Sequence, residues 1–259
     1  MSFALSKHRF ALFDLDGTLL PMDTDYFLAQ YVASVTPHFS HLVEPQLFAR
    51  QLLQSSHAIM ADNHGDKTNL DKFFADFLPK VNRTRAEVEP IFAHFYASAF
   101  SELRTYTSPS PLARDLVETA LTAGYKVVLA TNPLFSRRAV LERMSWANVA
   151  DLPWSFIASN EDTHYCKPNP AYFGALLERL GAAPEDCIHF GNDLTEDMAA
   201  RQVGIPVVMV TDYLVNRQHR PCTDVLYHGS LASVTQWFRS YVSGHSGPSG
   251  NAGGRSVKQ

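Results

Sequence analysis

Length, composition and charge set the first limits on this chain. Its 259 residues are enough for one large domain or two modest ones with a substantial core. Hydrophobic residues make up 46% and charged residues 19%, and 22 Lys and Arg against 26 Asp and Glu give a net charge of −4. There is no basic stripe for nucleic acid and no apolar run near the roughly 20 residues of a membrane span, so neither partner is expected.

The N-terminal segment and the cysteines indicate the compartment. Residues 1–9 lack the extended apolar core of a signal peptide. The three cysteines, Cys166, Cys187 and Cys222, have no metal-ligand spacing. We therefore expect a cytoplasmic protein, and its oligomeric state does not follow from the sequence.

The first predicted element is a short buried strand over residues 10–13, which leads into Asp14-Leu15-Asp16-Gly17-Thr18. Ligand sites of open parallel sheets lie beyond the carboxyl ends of the strands. A nucleophilic carboxylate, a second carboxylate two residues later and a glycine for a tight turn suit phosphoryl transfer through an aspartyl-phosphate. In isolation, the same stretch could be an ordinary acidic turn.

The pattern becomes helical over residues 21–108. Apolar residues recur at helical spacing, as in Phe73 and Phe77 and again in Val88 and Phe92. We predict about four helices here, forming a separate all-helical domain inserted after the first strand. The alternative is that this block belongs to one continuous α/β domain.

Strands and helices alternate in the rest of the chain. We predict strands at 125–130, 155–158, 187–190 and 206–210, and helices at 112–123, 134–145, 171–180 and 194–203. This alternation predicts βαβ units and a doubly wound parallel sheet with helices on both faces. The predicted organisation is an α/β core of residues 1–20 and 109–242, a helical domain of 21–108 and a disordered Gly- and Ser-rich tail of 243–259.

Three further polar clusters appear in this second half. Thr131 and Asn132 follow the strand at 125–130, and Lys167 stands before a proline-rich turn. Asp193 follows the strand at 187–190, and Asp197 lies four residues beyond it. Three of the chain's four polar clusters directly follow strand-like runs, and a doubly wound sheet would gather them at one edge.

In order and spacing, these clusters resemble the four motifs of the haloacid dehalogenase-like (HAD) hydrolase superfamily: DxDGT, Thr or Ser, Lys, and GNDxxxD. The resemblance covers residues 9–210 apart from the insertion, which is similar to the superfamily's type 1 cap. It implies a Rossmann-like core and a Mg²⁺-dependent phosphoric monoester hydrolase that acts on a small phosphorylated metabolite.

The resemblance also assigns catalytic roles. Asp14 would be the nucleophile, and Asp16 would protonate the leaving alkoxide and then activate water. Asp16 counts against dehalogenation, because halide leaves without a proton. Lys167 would neutralise the nucleophile and the transferred group, and the substrate-binding residues Thr131 and Asn132 would donate hydrogen bonds to the phosphoryl oxygens.

The same resemblance implies a magnesium site. Asp14, the backbone carbonyl of Asp16 and Asp193 would be the protein ligands, because Mg²⁺ prefers oxygen donors. Asp197 would orient these ligands or bind the metal directly, on the same helix face as Asp193 if the helix has begun there. Gly191 would allow the backbone to approach metal or phosphate closely.

Several alternatives stay open on the sequence. A phosphomutase shares all four motifs, and a non-catalytic binding or regulatory module could keep the fold without the chemistry. A lysine of the insertion (Lys67, Lys72 or Lys80) that formed a Schiff base would indicate phosphonate cleavage. The loop 62–67 is either a turn between helices or a segment that reaches over the site. The metabolite itself does not follow from the sequence.

Overall fold

The computed structural model describes residues 9–245. Its centre is a six-stranded parallel sheet. The strands are β1 (Arg9–Phe13), β2 (Tyr125–Leu129), β3 (Trp154–Ile157), β4 (Cys187–Gly191), β5 (Val207–Val210) and β6 (Tyr227–Gly229). Their order is β3-β2-β1-β4-β5-β6, so the direction of winding reverses between β1 and β4. The predicted doubly wound parallel sheet is confirmed.

The pairing register aligns the carboxyl ends of the three central strands, β2, β1 and β4. Phe13 at the end of β1 pairs with Leu129 of β2 on one side and with Phe190 of β4 on the other. The residues after these strands therefore emerge side by side where the winding reverses, the place at which such sheets bind ligands.

Both faces of the sheet are covered, which is why its central strands are mostly apolar, with Lys126 of β2 and His189 of β4 as exceptions. Five helices flank it: α5 (Pro111–Thr122), α6 (Arg137–Trp146), α7 (Pro170–Leu180), α8 (Ala199–Gln202) and α9 (Leu231–His245). Side chains alternate along β1, so that Phe13 packs on the α5, α6 and α9 side and Leu12 on the α7 and α8 side.

The helical insertion follows β1. It contains α1 (Thr24–Phe39), α2 (Pro45–Ala61), α3 (Asn69–Val81) and α4 (Arg85–Ser98), and a 3₁₀ segment, Phe100–Tyr106, leads back to the sheet. Its core is aromatic: Phe39 stacks on Phe48, and Phe92 packs against both. The four predicted helices are present, and no strand interrupts the described residues of the insertion.

Two helix predictions are wrong at their starts. The helix predicted at 134–145 begins at Arg137, where the Ser136 side chain accepts from the Ala139 N–H and caps it. Of the helix predicted at 194–203, only α8 is regular, because residues 193–198 form turns around the Asp193 and Asp197 carboxylates.

The last two elements, β6 and α9, were not predicted from the sequence. β6 extends the sheet, and α9 packs on it through Leu231, Val234 and Phe238, which recur at helical spacing. α9 runs to His245, so the predicted tail does not begin at residue 243. The rest of that predicted tail, 246–259, lies outside the described residues. Across residues 9–245, none of the helices is long and apolar enough to span a bilayer.

Candidate active site

An ion-pair cluster at the ends of β1 and β4 forms the centre of the site. The Lys167 Nζ lies 3.0 Å from Asp14 Oδ1 and 2.6 Å from Asp197 Oδ1, and all three side chains are buried. The Thr18 hydroxyl donates to Asp14 Oδ2 at 3.1 Å. Residues separated by up to 183 positions therefore meet in one cluster beyond the ends of β1 and β4.

Asp197 is the anchor of this cluster. Besides Lys167, it accepts from His189 Nε2 at 2.8 Å and from the backbone N–H groups of Asn192 and Asp193, each at 2.9 Å. Burial alone would raise the pKa of Asp197, but Lys167 and His189 hold it below its usual range. These contacts favour an orienting role, in which the Asp197 carboxylate positions Lys167 beside Asp14.

Two glycines make this packing possible. Gly17 has φ +80°, and a Cβ there would lie 2.1 Å from Asn192 Nδ2, so the tight turn after β1 requires glycine. A Cβ on Gly191 would lie 2.2 Å from Asp197 Cγ. The close approach at Gly191 is thus to Asp197, while an approach to metal or phosphate there stays a prediction.

Asp16 has a buried partner that the sequence analysis missed. Its Oδ2 is paired with Nη1 of Arg143, a residue of α6 with no exposed surface. Within residues 9–245, Asp16 Oδ1 has no hydrogen-bond partner. Burial raises the pKa of Asp16, although Arg143 lowers it. The available signal was an arginine on the otherwise apolar face of α6, next to Val140 and Met144.

Thr131 and Asn132 follow β2 as predicted. Thr131 is buried and lines a cavity between the sheet edge and the insertion. Asn132 Oδ1 accepts from the Lys167 backbone N–H at 3.2 Å, and its Nδ2 donates to Glu196 Oε2 at 2.9 Å. Asn132 therefore ties the lysine segment to the turns after β4, while its own N–H stays a predicted phosphate donor.

Asp193 lies in those turns and is held firmly. Its Oδ1 accepts from the backbone N–H groups of Thr195 and Glu196 at 2.6 and 3.0 Å, and its Oδ2 pairs with Arg217 at 3.1 Å. Arg217 also contacts Asp25 of α1 at 2.6 Å, which links the insertion to the core. Arg217 was not predicted, because nothing local in its loop marks it.

The carboxylates of the site exceed its cations. Of the eight Asp and Glu residues that line the cavity, five lie on its floor at the sheet edge: Asp14, Asp16, Asp193, Glu196 and Asp197. In the described chain only three arginine or lysine side chains pair with them: Lys167, Arg143 and Arg217. Burial raises the pKa of Asp14 to about 7 and that of Glu196 to about 8, and the neighbouring carboxylates Asp197 and Asp193 add to these increases.

The cavity has a volume of about 760 Å³. Its floor is the carboxylate cluster with Thr131 and Asn132, and its walls come from all four helices of the insertion. No group of three or more His, Cys, Asp or Glu side chains within residues 9–245 has metal-binding geometry. The predicted magnesium ligands are two carboxylates and one backbone carbonyl. This set has fewer than three such side chains, so the absence of such groups does not test it.

Contacts beside α3 bear on the remaining alternatives. Lys72 Nζ donates to the His164 carbonyl at 2.6 Å and pairs with Asp62 at 3.2 Å, while the α3 N-terminus binds the core through Asn69 N–H to Thr163 O at 2.9 Å. Neither Lys67, Lys72 nor Lys80 lines the cavity, so none of these three lysines is positioned to form a Schiff base there. The loop 62–67 also stays outside it, consistent with a turn between helices.

Known proteins are similar to this chain in sequence and in fold. A family model described as haloacid dehalogenase-like hydrolase matches residues 8–212. The haloacid dehalogenase-like hydrolase domain-containing protein 3 of Danio rerio is 36% identical over 66 residues, which is 25% of each protein. A phosphoglycolate phosphatase of Xylella fastidiosa is 21% identical over 216 residues, 83% of this chain and 85% of that protein. The crystal structure of a HAD phosphatase from Thermococcus onnurineus is similar in fold, with a TM-score of 0.53 and 19% identity over 88% of this chain and 97% of that one.

Proposed function

Because the chain belongs to the haloacid dehalogenase-like hydrolase family and is a phosphatase-type hydrolase, we propose that it cleaves small phosphate monoesters through an aspartyl-phosphate on Asp14. The observation that carries this proposal is the buried contact of Asp14 with Lys167 on the floor of the cavity. A carboxylate held next to a fixed ammonium group can approach an anionic phosphate that would otherwise repel it.

The proposed chemistry takes place in two steps. In the first, an Asp14 oxygen attacks phosphorus, the ester P–O bond breaks, and Asp16 gives its proton to the departing alkoxide. In the second, Asp16 takes a proton from water, which attacks the phosphorus of the aspartyl-phosphate and frees both phosphate and Asp14. Arg143 suits this role because it orients the Asp16 carboxyl group through Oδ2, while Oδ1 has no hydrogen-bond partner among residues 9–245.

Mg²⁺ fits the residues of this site. The excess of carboxylates over cations on the cavity floor is the observation that favours a divalent cation there. Asp14, Asp193 and the backbone carbonyl of Asp16 would hold it. When bound, it would favour the ionised form of Asp14 and offset charge on the phosphoryl oxygens.

The insertion would act as a cap in this proposal. Residues 21–108 cover the floor of the cavity and would exclude bulk water from the aspartyl-phosphate. A small ester fits beneath such a cover, whereas a folded protein substrate does not.

Phosphate release from a panel of esters tests the proposal. With Mg²⁺ present, the purified chain should release inorganic phosphate from several small monoesters, and phosphoglycolate belongs in the panel because the Xylella fastidiosa relative bears that name. Following the sugar phosphates of the panel by ³¹P NMR separates hydrolysis from isomerisation by a mutase. Absence of phosphate release across the panel would refute the proposed function.

Asp193→Asn should weaken magnesium binding at least about tenfold, because it removes one formal charge from a partly buried site. The amide oxygen can still accept from Thr195 and Glu196, so the turn should be preserved. Calorimetric titration with MgCl₂ measures the affinity, and phosphate release should lose its Mg²⁺ dependence in parallel. Asp66→Asn, an exposed carboxylate outside the cavity, is the matched control. Equal affinities in the two variants would remove Asp193 from the ligand set.

A further inference from the structure

The wall of the cavity that faces the carboxylates is apolar and aromatic. Each helix of the insertion contributes to it: α1 through Leu28, α2 through Leu53 and Met60, α3 through Phe73, and α4 through Phe92 and Tyr96. Leu28, Leu53, Met60 and Phe73 are only partly buried, so their side chains keep surface that a ligand can cover. The leaving group of a bound ester would lie against this wall.

Several polar residues of the same wall already have partners, although the exposed Arg138 and His57 also line the cavity. Glu89 pairs with Arg85 at 2.8 Å, and Glu161 accepts from the Arg137 backbone N–H at 2.9 Å. The hydroxyl groups of Tyr31 and Tyr96 bond each other at 2.9 Å, which leaves their rings to form the surface. These four residues are therefore engaged with the protein itself, and the aliphatic and aromatic side chains beside them are suited to apolar contact.

The size of the cavity also favours a ligand with an apolar leaving group. About 760 Å³ lies in the upper part of the 300–1,000 Å³ range that drug-sized ligands occupy. A phosphoryl group on a two-carbon acid would fill only the floor and leave the aromatic wall against water. Covering that wall is favourable only for a ligand that brings its own apolar surface.

We propose that the substrates are phosphate monoesters with an extended apolar or aromatic leaving group. This inference rests on the proposed function. The proposed substrate class differs from phosphoglycolate, the compound in the name of the Xylella fastidiosa relative.

A series of alkyl phosphates tests this inference. Ethyl, butyl, hexyl and 3-phenylpropyl phosphate have leaving groups of similar basicity, so differences in kcat/KM report contacts with the leaving group. We expect kcat/KM to rise at least about tenfold from ethyl to hexyl phosphate, since each buried methylene adds to binding, and phosphoglycolate to rank with the ethyl ester. A flat series, or a preference for phosphoglycolate, would overturn the inference while leaving the phosphatase intact. Turnover of no ester at all would overturn the proposed function and this inference with it.

A matched pair of variants on α2 locates the effect. Leu53→Gln should lower kcat/KM for hexyl phosphate about tenfold and leave that for ethyl phosphate nearly unchanged. Leu47→Gln is the control, because Leu47 is also partly buried on α2 but does not line the cavity. If Leu53→Gln fails to fold by circular dichroism, Met60→Gln on the same wall carries the same expectation. Equal losses for both esters, or for both leucine positions, would contradict the assignment.

Discussion

Asp14→Asn is expected to reduce phosphate release at least about 10⁴-fold, because an amide cannot form the aspartyl-phosphate and losses of this order follow removal of a covalent nucleophile. The substitution is nearly isosteric, so the contacts with Thr18 and Lys167 can persist in part. Phosphate release from any ester that the wild type hydrolyses measures the effect.

The control for this prediction is a carboxylate of the same type outside the site. Asp66→Asn should keep wild-type kinetics, and both variants should melt within a few degrees of the wild type by circular dichroism. An Asp14→Asn protein that is folded and retains near-native turnover would exclude Asp14 as the nucleophile.

Lys167→Met is expected to damage both activity and stability. Lys167 is 1% exposed and neutralises Asp14 and Asp197 together, so its removal leaves two buried carboxylates without their counter-charge. Breaking a buried pair in this way costs about 3–5 kcal/mol of unfolding free energy. Losing the charge that faces the phosphoryl group should also lower kcat at least about 10²-fold.

Lys80→Met gives the matched comparison. Lys80 pairs with Asp76 at 2.7 Å, but its side chain is 43% exposed, and such surface pairs contribute about 1 kcal/mol or less. Urea unfolding of the two variants measures the difference in stability. Similar unfolding free energies for Lys167→Met and Lys80→Met would contradict the stabilising role of the buried cluster.

Much of this site could be predicted because short motifs at strand ends have a fixed position in a parallel sheet. The apolar runs before Asp14, Thr131 and Asp193 predict strands, and parallel strands deliver the residues after them to one edge. Lys167 has no strand directly before it, and its place beside Asp14 came from the resemblance to the family. The structure brings it there, while the catalytic roles themselves remain predictions.

The site residues that were not predicted are positioned by contacts between residues far apart in the sequence. Arg143 meets Asp16 across 127 positions, and Arg217 meets Asp25 across 192, so neither pair leaves a mark in a sequence window. The helix expected after Asp193 was shortened because side-chain carboxylates compete for backbone N–H groups, a known weakness of helix patterns near Asp. α9 is different, because Leu231, Val234 and Phe238 recur at helical spacing and this local pattern was sufficient to predict a helix.

Trapping the covalent intermediate is the sharpest test of Asp14 as the nucleophile. Wild-type protein is acid-quenched during turnover and treated with borohydride, which reduces an acyl phosphate to the alcohol, and the peptides are then mapped by mass spectrometry. The proposed mechanism predicts conversion of the aspartate at position 14 to homoserine, and no conversion in Asp14→Asn. Homoserine at Asp16 or Asp193, or none anywhere during active turnover, would contradict it.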